Sequence, residues 1–112
     1  MIDSYSFGKI IINGKTYTSD VIIYPDRVDA SWWRKTGHSI CMEDIKDILD
    51  FKPEIFIIGQ GSPGLMKVPE KIQNTVKCMG IDIFVSGTGK AVKKYNEFCR
   101  IKKTVAALHL TC

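Results

Sequence analysis

Ile55-Phe56-Ile57-Ile58-Gly59-Gln60-Gly61-Ser62-Pro63-Gly64 runs from an apolar segment straight into a glycine loop. A second such pair, Ile81 to Val85 followed by Ser86-Gly87-Thr88-Gly89-Lys90, comes one helix length later. A short apolar run bounded by Pro and Gly fits a strand covered on both faces, and the spacing leaves room for one crossover helix. Residues 55–91 therefore read as a right-handed βαβ unit whose two glycine loops leave the sheet at the same edge. Ligands of open α/β sheets settle beyond the carboxyl ends of parallel strands, so any pocket is expected at that edge.

Outward from this unit the punctuation is equally local. Pro69 suits a first helical position and Gly80 the left-handed residue beyond a last one. Between them Ile72, Val76 and Met79 form a stripe, which predicts a helix over Pro69–Met79. Thr88 is a candidate N-cap for a third helix with a core face of Val92, Tyr95 and Cys99, and Val105–Leu110 reads as a final strand. Toward the N-terminus, Phe7–Ile12 and Thr16–Tyr24 flank Asn13-Gly14, the pattern of a tight hairpin, and Pro25 ends the second run. Residues 25–39 make a long polar connection carrying Arg27, Trp32, Trp33, Arg34 and His38; loops of this length in so small a domain are more often functional than idle. Met42–Leu49, with acids at Glu43 and Asp44 and apolar Ile45, Ile48 and Leu49, reads as a short amphipathic helix.

With 112 residues the chain fits one α/β domain spanning 1–112, too short for separate nucleotide and substrate domains. Apolar residues make up 45% and charged residues 25%, ordinary globular values. The net charge of +4 is spread along the chain, so a nucleic-acid face is not required. No apolar run reaches a membrane span and the first residues lack the regions of a signal peptide, so a cytoplasmic location with reduced thiols is expected.

Several motifs fail on chemistry. Gly59-Gln60-Gly61-Ser62-Pro63-Gly64 matches the dinucleotide fingerprint in letters, but that motif needs a helix opening at the glycines, and here the helix waits until Pro69. Ser62 lacks the glycine two residues before it that a nucleophile elbow wants, and Pro63 removes an oxyanion N–H. Ser86-Gly87-Thr88-Gly89-Lys90 is no phosphate loop, since Phe84 and Ala91 stand where glycine and a hydroxyl residue belong. What survives is a helix N-terminus beside Lys90, able to hold an anion without hydrolysing it. His38-Ser39-Ile40-Cys41 and His109-Leu110-Thr111-Cys112 could formally supply zinc ligands, yet residues three apart on a strand face opposite ways, so no metal or other cofactor is expected. Trp32-Trp33-Arg34 has the composition of a binding hot spot. The alternative is that one indole plugs the open end of the sheet while Arg34 pairs with a carboxylate.

Taken together, Trp33-Arg34-Lys35-Thr36-Gly37-His38, Ile57-Ile58-Gly59-Gln60-Gly61, Lys67-Val68-Pro69, Gly80-Ile81-Asp82, Thr88 to Asn96 and His109-Leu110-Thr111-Cys112 resemble one family over nearly the whole chain. It is the family of small α/β proteins that includes the adipogenesis-associated protein and respiratory complex I assembly factor 3. The resemblance implies a three-layer fold with a mixed central sheet and an added N-terminal β-hairpin, and it supplies no reaction. Relatives often place Pro or Gln where this chain has Gly87.

Two functions are thereby open. One is a non-enzymatic assembly or scaffolding factor that meets a protein partner, or a second copy of itself, through Trp32, Trp33 and Arg34. The other is a small-ligand or anion binder using Gly59, Gly61, Ser62, Thr88, Gly89 and Lys90.

Overall fold

The computed structural model describes residues 1–35 and 39–111. In chain order these form β1 (Ile2–Ser6), β2 (Lys9–Ile12), β3 (Lys15–Tyr17), β4 (Val21–Ile23) and β5 (Val28–Asp29), then α1 (Lys46–Phe51), entered through a 3-10 turn at Met42–Ile45. There follow β6 (Ile55–Gln60), α2 (Glu70–Cys78), β7 (Asp82–Ser86), α3 (Thr88–Phe98) and β8 (Thr104–His109).

The predicted βαβ unit is present. β6 pairs with β7 in parallel from Ile55 opposite Asp82 to Gly59 opposite Ser86, with α2 as the crossover. β8 then lies parallel on the other side of β6, giving a five-stranded sheet in the order β5-β4-β8-β6-β7, with β4 antiparallel to β8 and to β5. The chain thus steps one way from β6 to β7 and back past β6 to β8. Right-handed crossovers in opposite directions put α2 and α3 on opposite faces.

Alternation along the strands builds two cores. Phe56, Ile58, Val105 and Ala107 face Ile45, Ile48, Ile72 and Val76 on the α1/α2 side. Ile55, Ile57, Ala106 and Leu108 face Ala91, Val92 and Tyr95 of α3 together with Ile2, Ile10 and Ile12 of the small sheet. Both faces of β6 and β8 are therefore buried, which explains why these strands read as unbroken apolar runs.

The N-terminal region departs from a simple hairpin. Asn13 (φ 50°) and Gly14 (φ 81°) do turn β2 back onto β3. The run Thr16–Tyr24, however, divides: Lys15–Tyr17 stays in a three-stranded antiparallel sheet β1-β2-β3, while Val21–Ile23 crosses to the large sheet and pairs with β8. Phe7 lies in the turn between β1 and β2, and β1 itself comes from a mostly polar segment with no apolar alternation to mark it. Met79, expected in the buried stripe of α2, is 49% exposed, because the helix stops at Cys78.

Candidate functional site

Three strand exits meet at one rim. After Gln60 the chain takes positive φ at Gly61 (90°) and Gly64 (99°), and the loop closes on itself through Met66 N–H to Gln60 O (3.1 Å) and Gln60 Nε2 to Met66 O (3.0 Å). Its tip is fastened to the exit of β8 by Ser62 N–H donating to Thr111 O (3.0 Å). After β7, Gly87 occupies the cap of α3 at φ −56°, ψ 153°, a conformation that proline also adopts, so the loop shape does not depend on glycine there.

Thr88 ties the exits together. Its hydroxyl accepts from Gly61 N–H (2.9 Å) and donates to His109 O (2.6 Å), and its own N–H donates to Gly61 O (3.1 Å). The expected N-cap is therefore displaced by one residue: Gly87 is the cap, and Thr88, fully buried, is the latch between β6, β8 and α3.

Between the loops lies a cleft of about 470 Å³, lined by Tyr5, Gly61, Ser62, Pro63, Ser86, Gly87, Thr88, Gly89 and Lys90. It occupies the switch point where crossovers leave neighbouring strands for opposite faces, the place where doubly wound sheets bind ligands. A shallow depression of about 500 Å³ on α2 (Glu70, Lys71, Asn74, Thr75, Cys78) is one solvent-facing helix surface with no second element converging on it.

Of the glycine-loop residues singled out from the sequence, Gly61, Ser62, Thr88, Gly89 and Lys90 line this cleft. Gly59 does not. It lies beneath the loops, where a Cβ would come within 2.8 Å of Thr88 Oγ1 and 2.9 Å of Leu108 Cδ2, so its role is close packing. Gly89 is the opposite case, since a Cβ there would meet nothing within 4 Å and the backbone is helical. The N–H groups of Gly89 and Lys90, in the first turn of α3, have no intrahelical acceptor, and no side chain caps that end. Tyr5 joins the lining without any signal in the sequence; its hydroxyl donates to Leu110 O (3.1 Å), and burial raises its pKa, which keeps the phenol neutral.

Behind the cleft, Asp20 organises a second cluster. Its Oδ1 accepts from Leu110 N–H (2.8 Å), and its Oδ2 accepts from Arg34 Nη2 (2.7 Å) and from His109 Nδ1 (2.8 Å). A carboxylate can only accept, so the proton of a neutral His109 belongs on Nδ1. The Arg34 guanidinium also stacks on Trp32, 4.7 Å from its ring centre, while Trp32 Nε1 donates to Asp44 O (3.0 Å).

This corrects the Trp32-Trp33-Arg34 surface. Trp32 is buried and the Arg34 side chain is only 7% exposed, so neither presents itself to a partner; Trp33, 73% exposed, does. Of the rival expectation, one indole plugging the open end of the sheet while Arg34 pairs with a carboxylate, the pairing is found with Asp20, and the buried indole is that of Trp32 in the core on the α1/α2 side. The expected partners of His109 and Cys41 in the His-x-x-Cys pairs, Cys112 and His38, lie outside the described residues. His109 itself is engaged with Asp20.

Burial alone would raise the Asp20 pKa, but Leu110 N–H, His109 and Arg34 together outweigh it and hold the carboxyl below its ordinary value. A lowered pKa gives stability that is fully present above the unfolded value of about 4 and is lost as pH falls through the folded value. Urea unfolding between pH 7 and pH 2.5 should therefore show a loss at the acid end that is smaller in Asp20→Asn. Parallel curves for the two proteins would contradict that assignment.

A family model described as a protein of unknown function (DUF498/DUF598) matches residues 2–110. The fold is shared with solved structures. A conserved hypothetical protein, PH1505 from Pyrococcus horikoshii OT3, superposes with a TM-score of 0.86 at 24% identity, covering 100% of this chain and 99% of its own. The protein named MT938 superposes with a TM-score of 0.82 at 28% identity, covering 100% and 98%. An Mth938-like domain from Bordetella pertussis gives 0.67 at 17% identity, covering 98% and 85%. Among the described residues no helix is long and apolar enough to cross a membrane.

Proposed function

The chain belongs to the DUF498/DUF598 family of proteins of unknown function, and because that membership carries no reaction we propose, from the cleft itself, that the protein binds a small anionic ligand where its two glycine loops meet. Gly89 carries this reading. Glycine in a helix interior costs roughly 0.5–1 kcal/mol relative to alanine, and at the second position of α3 it still gives up alanine's advantage without an evident return. Neither backbone conformation nor crowding requires it here. Leaving the side chain out keeps the cleft open beside two unengaged N–H groups and Lys90, which suits a negatively charged group.

The test is thermal unfolding with inorganic phosphate as probe. The melting temperature should rise with phosphate concentration as a binding isotherm requires, and the rise should be lost in Lys90→Ala and in Gly89→Leu, whose side chain fills the cleft. Gly89→Ala should be more stable than the parent without phosphate. An equal rise in parent and Lys90→Ala would be the general salting effect of an excluded anion and would end the proposal.

A second reading, a protein partner engaged in assembly or scaffolding, draws support from Trp33 and from the resemblance to the complex I assembly factor. Trp33 (73%), Phe7 (62%) and Leu65 (57%) are exposed large apolar residues on loops at the same end of the sheet as the cleft. Trp33→Ala should leave the phosphate response intact, which keeps the two readings separable.

A further inference from the structure

β7 is the open edge of the five-stranded sheet, since among the described residues it pairs only with β6. Its first N–H, that of Asp82, donates to Glu54 O on the β6 side (3.0 Å). The alternation of a parallel ladder then points the N–H and C=O groups of Ile83 and Val85 outward. Natural edges are blunted by shortness, charge, bulges or proline. Among the described residues the other edges follow that rule: β5 has two residues, β3 has three and begins with Lys15, and β1 carries a register shift between Ile2 and Ser4. Apart from the charged Asp82 at its start, β7 has none of these devices. It is five residues long, pairs through five consecutive positions without a bulge, and leaves Ile83, Phe84 and Val85 half-buried.

Beside this edge is a second cavity of about 270 Å³, walled by Ile83, Phe84 and Phe98 and flanked by Lys94, Lys102 and Asp82. Lys94 Nζ lies 5.1 Å from the ring centres of both Phe84 and Phe98, and its contact to Glu97 is long for an ion pair (3.7 Å). Lys90, Lys94 and Phe98 recur at i, i+4 and i+8 on α3, so cations flank the edge along the helix that packs beside it. A second copy paired antiparallel across β7 would bring these lysines against their own equivalents. Charge therefore selects against self-pairing.

We propose that β7 receives an extended acidic segment of another protein by strand addition, with an apolar side chain entering the Phe84/Phe98 cavity and the carboxylates two residues to either side, on the same face, meeting Lys94 and Lys102. Main-chain hydrogen bonds to Ile83 and Val85 provide the register, and the cavity and lysines provide the choice of sequence. The site is independent of the glycine-loop cleft.

The probe is a peptide labelled with fluorescein at its N-terminus, Thr-Glu-Val-Phe-Val-Glu-Thr-amide, whose Phe and two Glu share the face turned to α3, read by fluorescence anisotropy and by amide hydrogen exchange of the full chain. The parent should bind saturably and show at least tenfold slower exchange at Ile83 and Val85. Val85→Pro removes an outward N–H that β6 does not use, and should weaken binding at least tenfold. Lys94→Glu with Lys102→Glu should do the same, and this pair decides the matter if the proline variant does not fold. Equal binding of a peptide of the same composition with its alternation scrambled would overturn the proposal, as would unchanged exchange at Ile83 and Val85 under saturation. A concentration-dependent dimer abolished by Val85→Pro would also overturn it, by making the occupant a second copy.

Discussion

Asp20→Ala should destabilise the protein by on the order of 3–5 kcal/mol, because it removes the acceptor shared by Arg34, His109 and Leu110 N–H and leaves a guanidinium buried without its counter-ion. The Arg34 side chain is poorly placed to recover. Its Nε and Nη1 are already buried without a hydrogen-bond partner, and stacking on Trp32 fixes its plane. Against a total stability of roughly 5–15 kcal/mol for a domain of this kind, the loss is large enough to read from the urea midpoint. Asp20→Asn retains an oxygen that can accept from Leu110 N–H and should cost less. Combining Asp20→Ala with Arg34→Met should cost less than the sum of the two single changes, since the uncompensated charge goes with the arginine. A loss under about 1 kcal/mol for Asp20→Ala would show that the cluster behaves as a surface ion pair.

Gly61→Ala is the second large effect. Gly61 sits at φ 90°, where an L side chain is strained, and a Cβ there would run into the carbonyl oxygen of Thr111 and come within 2.8 Å of His109 Cδ2. Thr111 cannot retreat freely, because its oxygen accepts Ser62 N–H, and His109 is held by Asp20. Strain and overpacking together should cost about 3–5 kcal/mol. The contrast with Gly89→Ala, expected to stabilise, separates a glycine the backbone needs from one it does not. Near-parental stability of Gly61→Ala would mean the loop has an alternative path and that the cleft wall is not fixed.

What could be read from the residues follows from how local each signal is. β6 was legible because a strand buried on both faces is apolar at every position, β7 and α3 because a short apolar run leads into a glycine loop and then a helical pattern, and α2 because Pro69 and Gly80 punctuate it within the same few residues. Strand β1 was not, since Ile2-Asp3-Ser4-Tyr5-Ser6 has no apolar alternation and is held from far away, as by Asn96 Oδ1 accepting Ile2 N–H (2.9 Å). The break between β3 and β4 was hidden for a related reason. Thr18-Ser19-Asp20 sits comfortably in a strand pattern, and what moves the chain to the other sheet is the capture of Asp20 by groups at Arg34, His109 and Leu110.

The candidate site divides in the same way. Its glycine loops announce themselves as turns directly after apolar strands, and parallel strands bring both loops to one rim. Tyr5 reaches that rim only through the small sheet, and Thr88 becomes a latch only because β8 passes beside it. His109 gave a signal, but its spacing to Cys112 suggested metal chemistry, while its actual partner stands 89 positions away. In Trp32-Trp33-Arg34 the composition of a binding surface proved to be mostly interior packing, with Trp33 alone turned outward.

The most direct test of the anion-binding cleft is a ¹H–¹⁵N titration of the full chain with inorganic phosphate. Saturable amide shifts confined to Gly61, Ser62, Gly89 and Lys90, and absent in Lys90→Ala, are the predicted result. Shifts spread over the lysines of α3 without saturation, or none at the four cleft amides, would contradict it.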